Sequence, residues 1–221
     1  MFRYAPLAAA LAVAAALPTA NADEPGVYVS GQLGYNFQDD QASNSTGRAL
    51  DLDFDDGGYY AIALGYGFEG SGPGRIRAEL ELSQRENDVD DIVFNGNPQV
   101  GGGEQEVFAG LVNVYYDFTG VSERITPFVG AGIGFAELDS DVAYNNGNAT
   151  LNDSDTVFAY QFVAGASYAI NDALSAVADV RYFALDDPEL TRFGGPPPAA
   201  FTDQDSEYDS VSVSLGLRYA F

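Results

Sequence analysis

The chain has 221 residues, 33 of them acidic against 9 basic, a formal net charge of −24, and no cysteine or histidine. A surface of that sign repels nucleic acid, the missing cysteines rule out disulfides, and a zinc site would have to be built from carboxylates alone. Without histidine no side chain titrates near neutrality unless strongly displaced, so general acid–base catalysis is disfavoured and neither an enzyme nor a cofactor is expected.

In chain order, Arg3 precedes an apolar run over 7–17, then Pro18 and the small-residue sequence Ala20-Asn21-Ala22. This pattern predicts a signal peptide over 1–22 with cleavage after Ala22, leaving 23–221 as one domain. No run reaches the ~20 apolar residues of a spanning helix. Period-2 alternation then predicts eight strands near 26–37, 58–69, 75–85, 106–118, 125–137, 157–170, 174–184 and 208–221. The connections alternate strictly between short (70–74, 119–124, 171–173) and long (38–57, 86–105, 138–156, 185–207). That rhythm belongs to an all-β fold, an eight-stranded antiparallel up-and-down transmembrane β-barrel, with tight periplasmic turns and extended outer loops.

Each strand is long enough to cross a hydrocarbon layer when tilted, for which ~9–11 residues are needed. In the second strand Tyr60, Ile62, Leu64, Tyr66 and Phe68 point to one face, toward lipid, and Tyr59, Ala61, Ala63, Gly65 and Gly67 to the other. Aromatic residues gather at the strand ends. Tyr66, Phe68, Tyr116, Phe118, Tyr168, Tyr219 and Phe221 mark an expected periplasmic girdle, and Tyr35, Phe37, Tyr60, Phe108, Phe135, Phe158 and Tyr182 an outer one.

Strand parity turns a set of charges inward: Arg75, Arg77, Glu79 and Glu81, then Asn113 and Asp117, Asp179 and Arg181, and Arg218. Facing lipid, an arginine near the midplane would cost about 2–4 kcal/mol. Facing inward, four arginines can bridge four carboxylates in bidentate fashion, a geometry that lysine cannot reproduce. The chain contains no lysine. The expectation is a salt-bridge network that fills the lumen and closes a continuous water path. Inner glycines such as Gly130, Gly132 and Gly134 leave a conduit open as the competing reading.

Acid concentrates in the long connections, where Arg48, Arg85 and Arg192 are the basic residues. The run 51–57 resembles a calcium loop only superficially: its glycine falls one place late and position twelve is Ile62. No metal site is expected there, with Asp51, Asp53 and Asp55 as weak divalent-cation candidates. The stretch 193–201, with three consecutive prolines, reads as a stiff spacer.

The last strand alternates without a break, with Val211, Val213, Leu215, Leu217, Tyr219 and Phe221 on one face. Together with the segments 27–35, 113–118, 127–134, 160–165 and 179–183, it resembles the OmpA-type family of small outer-membrane barrels, porin-like proteins and surface antigens. OmpA itself adds a periplasmic peptidoglycan-binding domain, and that role is not expected of this chain. The resemblance implies a terminal assembly signal at Ser214, Gly216, Tyr219 and Phe221 that is read by the barrel-assembly machinery. It further implies an outer membrane of Gram-negative type, both termini periplasmic, lipid and lipopolysaccharide as surroundings, and a monomer. The function expected is non-enzymatic, in envelope integrity or surface interaction through acidic outer loops. The alternative is a narrow porin for small cationic or apolar solutes.

Overall fold

The computed structural model describes residues 25–221 except 40, 46–47, 71–73, 95, 145–148, 187, 195–199 and 206–207. The expected signal peptide lies outside the described residues. In chain order the strands are β1 (Gly26–Gln38), β2 (Gln41–Ser45), β3 (Arg48–Phe54), β4 (Gly57–Gly67), β5 (Arg75–Phe94), β6 (Asn97–Gln99) and β7 (Gly102–Asp117). They continue as β8 (Ile125–Tyr144), β9 (Ala149–Ala169), β10 (Leu174–Leu185), β11 (Glu189–Gly194), β12 (Ala200–Asp205) and β13 (Tyr208–Ala220).

Eight of these close on themselves. The order is β1-β4-β5-β7-β8-β9-β10-β13, every neighbour is antiparallel, and β13 returns to pair with β1. Closure leaves the membrane-spanning wall without a free edge, as a bilayer demands of any backbone inside it. The register can be followed around the wall from Tyr28 through Gly65, Glu79, Asn113, Gly132, Gln161, Phe183 and Ser210 to Gln38. The path returns to β1 ten residues beyond its start, a shear that tilts the strands by about 40°. From Phe158 to Tyr168 on β9 the chain then rises about 25 Å, the height of an outer-membrane hydrophobic band.

Within that band the apolar side chains face out and the polar ones in. Leu33, Leu64, Leu80, Val112, Ile133, Phe162 and Leu215 are exposed, while Arg77, Glu81, Asn113, Gln161 and Ser214 are buried. Both aromatic girdles are present, and several of their rings stack edge-to-face. Tyr66–Phe68 lie 5.1 Å apart and Tyr116–Phe118 5.0 Å at the periplasmic end, and Phe135–Phe158 6.3 Å at the outer end.

The structure corrects the expected loops. Residues 86–105 and 138–156 are largely strand, because β5, β7, β8 and β9 run on past the outer girdle. The regions 38–57 and 185–207 likewise carry β2 with β3 and β11 with β12. The physical reason is an inversion of pattern. Above the bilayer, water replaces lipid outside, so the outward residues become Glu104, Glu106, Glu137, Asp139 and Asp141 and the inward ones Val107, Leu138 and Val142. A search for apolar residues on the outer face ends each strand at the membrane surface, whereas the ladder continues. The inward residues of the extension, with Leu52, Val89, Ile92, Phe183, Leu185 and Tyr208, form a buried apolar cluster over the outer half of the barrel.

Candidate functional site

The charged lumen is built in tiers by the inward positions of β5, β7, β10 and β13. At the periplasmic end, Asp117 takes Arg75 at 3.0 Å and Arg77 at 2.8 Å, and Arg77 also reaches Glu79 at 2.8 Å. Tyr28 stitches this tier, its hydroxyl donating to Glu79 Oε1 at 2.6 Å and accepting from Arg77 Nη1 at 2.8 Å. The Arg77 guanidinium lies 4.6 Å from the Tyr115 ring centroid and 5.3 Å from that of Phe128.

The middle tier crosses the barrel. Arg181 on β10 donates to Glu81 on β5 at 2.7 Å and to its own neighbour Asp179 at 2.9 Å, and it also bonds Gln32 on β1. Asn113 donates to Glu81 at 2.9 Å, Gln161 donates to Asn113 at 2.8 Å, and Ser214 donates to Asp179 at 2.8 Å. Eight of the nine residues assigned to the network therefore come together, each buried. Arg218 is the exception: it is buried, but among the described residues it stacks over Tyr28 at 5.1 Å and forms no ion pair.

Sequence parity also missed a member. Arg85, counted with the rim, is fully buried in the lumen, in phase with Arg75 and Arg77 on the same strand. Tyr28 and Gln32 were missed because uncharged polar residues carry little signal in a small barrel whose inner face is expected to be mixed.

The inner glycines serve the filling. A β-carbon at Gly130 would fall 2.3 Å from the Tyr115 ring, one at Gly132 1.8 Å from Asn113 Oδ1, and one at Gly65 2.2 Å from the Tyr28 ring. At these three positions the space is occupied by side chains from the neighbouring strands. Outward of the charges, Asn87 donates to Asp55 O at 2.9 Å, Asn36 to Asn87 at 2.7 Å and Ser212 to Asn36 at 2.7 Å, beneath the apolar cluster. A concavity of about 850 Å³ opens on the lipid-facing wall near Val29, Ile62, Leu64, Leu80, Leu82 and Val112.

Among the terminal residues, Ser214 faces the lumen, the Gly216 backbone lies close against Gly31 and Gln32, and Tyr219 stacks on Phe221 at 5.3 Å. Asp53 and Asp55 are exposed at the end of β3, the side chain of Asp51 lies outside the described residues, and no group of three metal-ligating side chains occurs among those described.

A closed antiparallel barrel with a lipid-facing apolar band, two aromatic girdles and a charged interior defines a protein of the bacterial outer membrane. The chain belongs to the family described as outer membrane protein beta-barrel domain, which it matches over residues 6–221. It is 31% identical over 240 residues to an outer membrane protein of Gluconacetobacter diazotrophicus, covering 97% of this chain and 63% of that relative's length. The fold is shared with neisserial surface protein A (TM-score 0.54, 18% identity, 89% and 97% of the two chains). It is shared also with the outer membrane protease OmpT of Escherichia coli (0.57, 7%, 93% and 99%) and with OprG of Pseudomonas aeruginosa (0.51, 13%, 92% and 97%).

Proposed function

We propose that the protein is a non-enzymatic, closed barrel that contributes to envelope integrity and presents its acidic outer extension to the exterior. The observation that carries this reading is the Arg181–Glu81 contact, which spans the lumen with Asn113, Gln161 and Asp179 bonded around it. A path for water would have to break several charge-assisted hydrogen bonds at once in a low-dielectric interior. The apolar cluster outward of this tier is a second barrier.

The likeness to a protease rests on 7% identity and extends to the fold alone. With no histidine in the chain, the non-enzymatic reading stands on the side-chain inventory. The alternative, a narrow conduit for cations or apolar solutes, is opposed by the lumen's own charge, since among the described residues five buried arginines face four buried carboxylates. In this reading the partners are lipid, lipopolysaccharide and the assembly machinery, the protein is a monomer, and nucleic acid is repelled by the acidic exterior.

The test is conductance of the refolded barrel in a planar bilayer at several salt concentrations. No discrete steps are expected. Reproducible steps that change when Arg77 or Arg181 is substituted would replace this reading with that of a small pore.

A further inference from the structure

Arg85 is fully buried, and among the described residues no carboxylate forms an ion pair with it. It projects from β5 toward the β10–β13 wall, where its guanidinium lies 3.7 Å from the Phe183 ring centroid, with the Tyr59 ring at 5.0 Å. Its one hydrogen bond goes from Nη1 to Ser83 Oγ at 3.2 Å. Nε and Nη2 are buried without a partner. Arginine does not escape such a position by losing its proton, and an isolated buried cation is strongly unfavourable unless something compensates it. The two rings compensate in part, their electron-rich faces attracting the guanidinium.

Three more donors share the neighbourhood. The hydroxyls of Tyr59, Tyr208 and Ser210 are all buried. Tyr208 packs on Phe183 at 6.1 Å between ring centroids, Ser210 is the register partner of Phe183, and Tyr59 that of Arg85. The Tyr208 hydroxyl lies beside Ser210 and Asn36, close enough to interact with both, so the Arg85 guanidinium is the group here with the clearest want of an acceptor. Buried polar groups are satisfied in all but a few cases, and the two orphan guanidinium nitrogens, which can only donate, call for an acceptor that the neighbouring hydroxyls can help to hold.

The charge balance points the same way. Among the described residues the buried charged side chains are Arg75, Arg77, Arg85, Arg181 and Arg218 against Glu79, Glu81, Asp117 and Asp179. That leaves the interior of a protein with net charge −24 positive by one. Arg218 is the less sequestered of the two unpaired arginines, at 6% exposure against 0% for Arg85.

From these observations we infer that Arg85, with Tyr208, Ser210 and Tyr59, forms an occluded binding site for one small monovalent anion of the halide class. One such ion gives the orphan donors their acceptor and makes the lumen neutral. The site goes beyond the closed-barrel reading and does not depend on it, because an anion can be held in a lumen whether or not that lumen conducts.

The experiment refolds the mature barrel in sodium chloride, sodium bromide or sodium gluconate at equal ionic strength and follows thermal unfolding. Gluconate is the control, being too bulky for a packed lumen. Chloride and bromide should raise the midpoint saturably, by about 5–10 °C at a hundredfold excess over Kd. Arg85→Met should abolish the difference between anions, and Tyr208→Phe combined with Ser210→Ala should weaken it at least tenfold in concentration. A midpoint indifferent to anion identity, or a chloride response unchanged in both variants, would overturn the site and leave water as the acceptor. Should Arg85→Met fail to fold, bromide anomalous scattering from wild-type crystals decides. A peak within hydrogen-bond distance of Arg85 supports the site, and peaks at the surface alone oppose it. Single-channel recordings leave this inference standing whichever way they fall, so its failure is separable from that of the closed-barrel reading.

Discussion

Arg181 and Glu81 meet at 2.7 Å from opposite walls of the barrel, since β10 and β5 are four strands apart whichever way the wall is followed. A single ion pair therefore braces the full width of the lumen, and both partners are within a few per cent of complete burial. Removing one partner of such a pair strands the other in a low-dielectric site. Arg181→Ala leaves Glu81 and Asp179 without their cation and is expected to cost about 3–5 kcal/mol, read as a lower urea midpoint for the barrel refolded in lipid vesicles. Arg181→Lys should recover only part of the loss, because an ammonium lacks the fork that serves Glu81 and Asp179 together. A midpoint unchanged in Arg181→Ala would show that the brace carries no weight.

The second expectation concerns the glycines that admit the large inner side chains. Gly65→Ala would place a methyl 2.2 Å from the Tyr28 ring and push its hydroxyl off Arg77 and Glu79. Overpacking of this kind costs about 1–3 kcal/mol. Gly110→Ala is the control, since its nearest neighbour is the flexible end of Leu82 at 3.7 Å. Equal unfolding midpoints for the two variants would mean that the Tyr28 tier is softer than its contacts imply.

How much of this was legible in the sequence differs between the wall and its contents. Within the bilayer one face must be apolar, so parity alone places Leu64, Leu80 and Leu215 outside and Arg77, Glu81 and Asp179 inside. Which charges meet depends on shear, a property of closure that no single strand contains; the ten-residue offset is what brings Arg181 to Glu81. The extension escaped notice because its pattern inverts at Glu106 and Glu137, where the outside turns from lipid to water. Arg85 escaped with it, lying at the level where charged side chains become equally expected on either face.

The outer wall of the extension carries like charges in register. Glu86 stands opposite Glu106, which stands opposite Asp139, and Asp88 opposite Glu104, which stands opposite Asp141. Like charges directly opposite each other destabilise a sheet, and salt screens them. Glu106→Gln or a rise from 10 to 200 mM sodium chloride should each slow hydrogen exchange in 102–107 and 137–142, and the two effects should not add fully. Independent, fully additive effects would mean that the carboxylates do not sense one another.

The same ladder gives a pH dependence of unusual sign. Burial holds the Glu106 carboxyl above the usual carboxylate range, and Glu86, Glu104 and Asp139 push it further in that direction. A carboxyl whose folded pKa exceeds its unfolded one weakens the fold when ionised. Stability is therefore gained as pH falls through the folded pKa and levels off below the unfolded one. Protection of the extension should rise between pH 7 and pH 5 in the wild type relative to Glu106→Gln. Because Glu106 keeps much of its solvent contact, the effect is expected to be small, and it would disappear if the variant followed the wild-type profile.

The terminal strand separates assembly from stability. Ser214 and Gly216 have structural reasons to be where they are, one bonded to Asp179 and the other packed on Gly31 and Gln32. Tyr219 and Phe221 lie on the lipid side, and their mutual contact at 5.3 Å is an edge-to-face pair of about 0.5–1.5 kcal/mol. If these two aromatics are read by an assembly machine, removing Phe221 and changing Tyr219→Ala should lower the amount of barrel reaching the outer membrane of cells several-fold. The urea midpoint of the purified, refolded variant should fall only slightly. Comparable losses in both settings would assign the pair to stability alone, whereas loss confined to cells is what recognition at the open edge of β13, before it closes on β1, requires.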